Sequence, residues 1–374
     1  MALVENFTIP KNLLPSDGRF GSGPSLVRPD AVDALAELSK TYLGTSHRQD
    51  PVKNMVGRLR NGLSQLFSLP EDWEIILGNG GSTLFWDAAT FGLIEDLSQH
   101  LVFGEFSSKF AQAVTQAPHL GNPEIIESKT GSAPSMELSN ADNYALTHNE
   151  TSKGITIPIT HLTKEKDALV LVDATSAAGG IKWEPSETDC YYFAPQKCFG
   201  SDGGLWIAAC SPAAVNRIQK ISSSNRWVPA GLDLNIALEN SRKNQTYNTP
   251  ALATIFLTVH QIEWMNENGG LEWSTERSKR SSSHIYNWAE QHEHAQPFVN
   301  QIELRSPVVT TIDLSHEINA DTVIDICQQN GILDIAGYRK LGRNQLRIAT
   351  FPAIELDDIH ALTKSLDYVI GHLL

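Results

Sequence analysis

Residues 168–200 read ALVLVDATSAAGGIKWEPSETDCYYFAPQKCFG. The run Ala168 to Val172 is continuously apolar, as expected for a strand buried on both faces in a parallel sheet. It ends on a carboxylate, Asp173. A glycine-containing connection leads to a second apolar strand, Cys190 to Phe193, and then to Lys197 in a loop of Ala, Pro, Phe and Gly. In open α/β sheets ligands sit beyond the carboxyl ends of the strands. A carboxylate there can pair with a protonated ring nitrogen and keep the ring an electron sink, although a helix cap or loop aspartate reads the same way. A lysine among apolar neighbours has a lowered pKa and a free amine for Schiff-base formation, although a solvated loop charge also fits.

Upstream, a short apolar strand (Glu74 to Leu77) runs into Gly78-Asn79-Gly80-Gly81-Ser82-Thr83 and an apolar helix, Leu84 to Leu93. Glycines let backbone N–H groups approach an anion, and a helix N-terminus adds partial positive charge. The stretch has neither the lysine of a Walker loop nor the spacing of a dinucleotide fingerprint. It reads as a phosphate cup or as a tight capped turn. The order is then phosphate cup, strand-end aspartate and loop lysine, which together supply anchoring, ring pairing and a Schiff base.

The remaining pattern has the same organisation. Helices are predicted over Pro29 to Tyr42, Pro51 to Phe67, Ser107 to Gln116 and Pro212 to Ile221, with strands over Leu101 to Phe103 and Leu205 to Cys210. Alternation of this kind indicates an α/β domain with a mostly parallel sheet. From about Thr249 the pattern changes to long helices (Ala251 to Asn266, Leu271 to His292), two strands (Val308 to Leu314, Gln345 to Ala349) and two further helices, one of them Asp321 to Asn330. A smaller α+β unit follows from it. The expected division is a large domain over 17–260 and a small one over 261–374 joined by 1–16.

Composition narrows the function. At 374 residues, two domains are the default. The formal charge of −14, from 43 acidic and 29 basic residues, argues against nucleic acid as the main partner. Small anions remain open, because a few arginines in a cleft suffice to bind them. The four cysteines (Cys190, Cys198, Cys210, Cys327) show no framework or metal spacing, so reduced thiols and a cytoplasmic location are expected. No apolar run approaches the ~20 residues of a membrane span, and the first residues do not resemble a signal peptide.

The motifs FGSGPS, TSHRQD, HNETSKGI, VDATSAAGG, APQKCFG and YNTPAL, followed by GRNQLRIATFP, stand in one order along most of the chain. On them the sequence resembles the class V, fold-type I pyridoxal-phosphate-dependent aminotransferases, and within these the branch that acts on phosphoserine with 2-oxoglutarate. The resemblance implies pyridoxal 5'-phosphate as cofactor, with Lys197 as its Schiff-base lysine and proton shuttle and Asp173 on the ring nitrogen. It implies Ser82, Thr83 and Gln196 on the cofactor phosphate and Thr151 on the ring's phenolic oxygen. Asn248 and Thr249 are similar to the pair that reaches the neighbouring subunit's cofactor phosphate, which implies a homodimer with shared active sites. His47 and Arg48 resemble the pair that binds the substrate phosphate, and Arg347 the arginine that clamps its carboxylate. Small-molecule amino and oxo acids are the implied partners.

Two departures mark a divergent branch. Phe106 stands where relatives carry a tryptophan against the cofactor ring, and phenylalanine offers a face without a donor. The His-Arg pair upstream of Arg347 is replaced by Gly337-Tyr338-Arg339-Lys340-Leu341-Gly342-Arg343. This basic cluster, Arg339 first, serves the same anion or forms a solvated loop. Three other readings stay open. One is an alanine or serine–glyoxylate aminotransferase, which would not need the His47-Arg48 site. Another is a cysteine desulfurase, which would need a mobile cysteine. The last is a non-catalytic anion-binding module, which would leave Asp173 and Lys197 unexplained.

Overall fold

The computed structural model describes residues 7–161 and 167–374. Residues 1–6, which the sequence assigns to the small domain, lie outside that description. The described strands are β1 (Glu74–Asn79), β2 (Ser98–Val102), β3 (Glu124–Glu127), β4 (Asn143–Thr147), β5 (Asn149–Glu150), β6 (Ile155–Thr156), β7 (Leu169–Asp173), β8 (Cys190–Phe193), β9 (Leu205–Cys210), β10 (Ala295–Pro297), β11 (Val309–Leu314) and β12 (Gln345–Ala349). Seven of them form the main sheet in the order β1-β9-β8-β7-β4-β2-β3. The five strands from β8 to β3 are parallel, whereas β9 runs antiparallel to both β8 and β1. The fold is α/β with a mostly parallel sheet.

The apolar runs that looked continuous in the sequence serve two cores. Along β7, Leu169 and Leu171 join one cluster, while Val170 and Val172 join the other. Along β8 the same alternation sends Cys190 and Tyr192 one way and Tyr191 and Phe193 the other. Helices Asp50–Leu66 and Leu252–Glu267 contribute to one core, and helices Ser82–Gly92, Glu105–Gln116 and Pro212–Ser222 to the second. A third core lies between the antiparallel sheet β10-β11-β12 and helices Gly270–Gln291, Ala320–Gln329 and Leu356–Leu373. Ile9, Phe20 and Leu26 belong to it. Main-chain bonds fasten that N-terminal segment, from Phe20 to Leu333 and from Ala349 to Phe20.

Several bounds differ from expectation for local reasons. The first helix ends at Glu37 rather than Tyr42, because the chain turns there and draws Tyr42 into the core, where its hydroxyl donates to the Leu252 carbonyl at 3.0 Å. Strand β2 begins at Ser98, not Leu101, and its polar half is buried. Those polar groups are satisfied by one another and by β3, through Ser98 to His100 at 2.9 Å and Gln99 to Glu124 at 3.0 Å. The four cysteines are buried free thiols. Among the described residues, no helix is long and apolar enough to cross a membrane.

Candidate active site

Asp173 is the last residue of β7, flanked in register by Thr147 of β4 and Tyr192 of β8. It is buried, and its carboxylate is held from two sides. Oδ1 accepts from the Thr175 amide at 3.0 Å and hydroxyl at 2.5 Å, and Oδ2 accepts from the indole N–H of Trp86 at 2.9 Å. Burial raises its pKa above the ordinary carboxylate value, against the pull of those donors. Two carboxylate oxygens offer about four acceptor sites. Three are used, which leaves room for one more donor, and a cationic one would offset the cost of burying the carboxylate.

Lys197 follows β8 in the loop that the proline and glycines shape. Its side chain is buried, and its Nζ donates to the Ser22 carbonyl. The Ser25 hydroxyl donates to the Lys197 carbonyl at 2.6 Å, so the FGSGPS segment and the lysine loop are laced together. Gly23 (φ +134°) is the close approach in that lacing, because a Cβ there would stand 1.9 Å from Nζ. Burial, reinforced by the positive charge of Arg347, lowers the Lys197 pKa to about 8. A readily freed amine thus lies at the carboxyl end of the sheet, in the same layer as Asp173.

Around this pair stand further polar groups. Thr151 is buried, and its hydroxyl meets that of Ser176 at 2.7 Å, while Asn149 donates to the same oxygen at 2.9 Å. Arg347, on β12, reaches across from the small sheet and donates to the Thr151 carbonyl at 3.4 Å. Ser82 opens helix Ser82–Gly92, and its hydroxyl lies 2.7 Å from that of Thr175, which ties the glycine turn to the Asp173 shell. Gly80 (φ +108°) makes that turn and donates its amide to the Gly204 carbonyl at 3.0 Å. Thr83 is exposed in the first helical turn. Gln196 adjoins Lys197.

The remaining expected residues fall into two places. Arg339 lines a cleft with Arg347, Tyr338, Ser22 and Gly23. Its basic neighbours are already paired, Lys340 with Glu105 at 2.5 Å and Arg343 with Asp313 at 2.5 Å. Phe106 is half-buried, 6.0 Å edge-on from the Tyr338 ring, which itself lies 5.4 Å from the Arg347 guanidinium. His47, Arg48, Asn248 and Thr249 form a separate patch beside Asn79. There His47 Nδ1 meets the Thr249 hydroxyl at 3.2 Å, Asn79 donates to the Thr249 carbonyl at 3.0 Å, and Arg48 donates to Gln245 at 2.9 Å. Burial and Arg48 lower the His47 pKa. Those contacts do not include Lys197 or Asp173.

Trp86, Thr175, Ser176 and Gly23 also shape the site, and the residue patterns did not single them out. Trp86 is simply one apolar position of a helix until the fold turns its N–H onto Asp173. Thr175, two residues after Asp173, carried a readable signal, because short hydroxyl residues often return a bond to a nearby aspartate.

The residues fit pyridoxal 5'-phosphate. Among the described residues, Ser22 Oγ, Asn149 Oδ1, Tyr192 Oη, Gln196 Oε1 and Arg347 Nε are buried without a protein partner. Native interiors rarely leave such groups unpaired, and these five flank or adjoin the Lys197–Asp173 layer. With a nucleophilic lysine, an acidic partner for a ring nitrogen and a helix N-terminus for phosphate, the donor set matches the cofactor's three ends.

Comparison with known proteins gives the class. The model of the aminotransferase class-V family matches residues 135–341. The chain belongs to that family and is a pyridoxal-phosphate-dependent transaminase. More particularly, it is 54% identical to a putative phosphoserine aminotransferase of Mycolicibacterium vanbaalenii, over 99% of this chain and 100% of that protein. It is 52% identical to a phosphoserine aminotransferase of Rhodococcus jostii, over 98% of each. Among solved structures, a phosphoserine aminotransferase of Cytophaga hutchinsonii superposes with a TM-score of 0.85 over 94% of this chain and 99% of that one. At 24% identity, that last likeness speaks for the fold alone.

Proposed function

We propose that this transaminase exchanges the amino group between O-phospho-L-serine and 2-oxoglutarate, reversibly giving 3-phosphohydroxypyruvate and L-glutamate, in serine biosynthesis. The observation that carries the reading is the placement of Arg347. Its guanidinium is largely buried, has an unpartnered Nε, and stands close enough to Lys197 to depress the lysine pKa. It is a built anion site beside the reactive amine. The names of the full-length relatives support the choice of donor.

When bound, pyridoxal 5'-phosphate supplies an aldehyde for Schiff-base exchange and a ring that delocalises the electron pair of the substrate Cα–H bond. The chain's residues do the rest. Lys197, with its pKa near 8, offers a neutral amine as nucleophile. With the amino substrate in place, the Lys197 amine would take the Cα proton as base and, as ammonium, give a proton back as acid. Asp173 would pair with the ring nitrogen, and its Trp86 and Thr175 donors favour the ionised carboxylate against the upward push of burial. Ser82, Thr83 and Gln196 hold the cofactor phosphate at the helix N-terminus. Thr151 would address the phenolic oxygen, and Phe106 would offer the ring an apolar neighbour. Arg347 clamps the substrate carboxylate through its planar fork.

The substrate phosphate falls to His47 and Arg48, with Arg339 as the guanidinium of the 337–343 loop that has no carboxylate partner among the described residues. Asn248 and Thr249 lie in the patch with His47, apart from Lys197 within one chain. The reading therefore includes a two-fold homodimer in which that patch serves the partner's site. The buried free thiols are in keeping with a cytoplasmic enzyme.

The test is a half-reaction. Cofactor-loaded protein is mixed separately with phosphoserine, serine and alanine, and loss of the visible band is followed. Rapid conversion by phosphoserine alone supports the reading. Equal or faster conversion by alanine or serine points to an alanine or serine–glyoxylate type of aminotransferase instead.

A further inference from the structure

Glu150 is a carboxylate with no exposed surface, at the end of β5. Among the described residues it has no salt bridge to a lysine or arginine, yet every contact it makes comes from a donor. Oε2 accepts from the amides of Phe106 at 3.1 Å and Ser107 at 3.0 Å and from the Ser107 hydroxyl at 3.0 Å. Oε1 accepts from the Ser152 amide at 3.2 Å and hydroxyl at 2.7 Å. The Ser152 hydroxyl also receives the Glu105 amide at 3.1 Å. Helix Glu105–Gln116 starts at Gly104, which has no side chain to cap it. The first three amides of that helix therefore end on the 150–152 segment. Gly104 is needed there, because a Cβ would stand 2.2 Å from Glu150 Cγ.

A cap alone needs no buried charge; a hydroxyl or amide would do. What sets this one apart is what it joins. On the helix side it fixes the backbone of Phe106. On its own segment it adjoins Thr151, whose hydroxyl meets Ser176 and whose carbonyl accepts from Arg347. Its negative charge is also felt at Asp173, where it adds to the upward push of burial.

We propose that Glu150 is a positioning residue for the cofactor, tying the Phe106 backbone to the Thr151 segment and contributing a negative charge that favours the protonated cofactor. The inference rests on the transaminase reading above.

The test uses Glu150→Gln and Glu150→Asp proteins, each loaded with pyridoxal 5'-phosphate beside the wild type. Three quantities are read: the cofactor dissociation constant, the pH midpoint of the visible band, and the thermal midpoint of the cofactor-free protein. Glu150→Gln is expected to weaken cofactor binding at least tenfold. It should also lower the band's midpoint by roughly half a pH unit or more, as for loss of one buried charge at an effective dielectric of about 20. Glu150→Asp keeps the charge and restores the midpoint, while affinity recovers only in part. A fall in thermal midpoint with affinity and band midpoint unchanged would make Glu150 a helix cap and overturn the proposal. If Glu150→Gln does not fold, Glu150→Asp decides between the two: a wild-type band midpoint with weakened affinity supports the proposal, and unaltered affinity overturns it. A wild-type protein that forms no band overturns the transaminase reading itself, a result distinct from a normal wild type with indifferent variants.

Discussion

Replacing Trp86 by phenylalanine removes one donor from Asp173 and keeps an aromatic ring in the surrounding core. The indole N–H lies 2.9 Å from Oδ2 and is the sole donor to that oxygen among the described residues, since both Thr175 bonds go to Oδ1. A hydrogen bond to an ionised acceptor contributes ~1.5–3 kcal/mol. At about 1.4 kcal/mol per pKa unit, Asp173, already raised by burial, moves up by a further one to two units. The carboxylate then competes with the ring nitrogen for the proton they share. The electron sink weakens, and the single-turnover rate with phosphoserine should fall by about tenfold to a hundredfold. Stopped-flow bleaching of the loaded enzyme at saturating phosphoserine measures this directly. Phe110→Leu serves as control: its ring stacks on Trp86 at 6.3 Å without touching Asp173, and its rate should stay near wild type. A Trp86→Phe rate within threefold of wild type, or an equal loss in Phe110→Leu, would refute the reasoning.

Gly23→Ala places a Cβ against Lys197 Nζ at a φ of +134°, so added cofactor should no longer give the visible band while circular dichroism keeps its native shape. The rate of cofactor loading by wild-type protein should rise with pH and level off above about 8, following deprotonation of Lys197. The same shift penalises the cofactor-free fold as pH falls below the unfolded pKa, near 10.4, and in full below about 8, because the folded pKa is the lower of the two. Lys197→Met should therefore stabilise the apoprotein at pH 7 by on the order of 2–3 kcal/mol, a gain that fades as pH approaches 10 in urea titrations. Arg347→Ala should raise the Michaelis constants for both amino and oxo substrates by about a hundredfold, and Arg347→Lys should recover little, since the planar fork is lost. Arg48→Ala should weaken phosphoserine far more than alanine in steady-state assays; equal losses would show that Arg48 does not read the phosphate.

Much of the fold was legible because β7, β8 and β9 are continuous apolar runs between turn residues. The spans Cys190–Phe193 and Leu205–Cys210 read from the sequence coincide with the strands. Strands β3 and β4 escaped notice, because Glu124, Glu127, Asn143 and Thr147 break the apolar pattern. The partners found for them are distant, Gln99 for Glu124 and the Leu93 carbonyl for Asn143, and no local reading can supply those. The antiparallel course of β9 has the same origin, for strand direction is fixed by connections and not by composition. In the site, Asp173 and Lys197 announced themselves by their places at strand ends. Trp86, Gly23 and Glu150 did not, because each matters through a contact made across a long stretch of chain: 87 residues from Trp86 to Asp173 and 44 from Glu150 to Phe106. The 337–343 loop was ambiguous as a basic cluster. The ion pairs of Lys340 and Arg343 leave Arg339 as its guanidinium without a carboxylate partner among the described residues.

The central claim is that Lys197 carries the cofactor, and borohydride trapping with peptide mapping tests it most directly. Hydride adds across the lysine–cofactor double bond and leaves a stable pyridoxyl group on the lysine nitrogen. The account predicts that loaded wild-type protein bleaches and that the pyridoxyl mass maps to the peptide holding Lys197, with none in Lys197→Ala. A pyridoxyl group on another lysine, or a loaded protein that takes up no hydride, would contradict it.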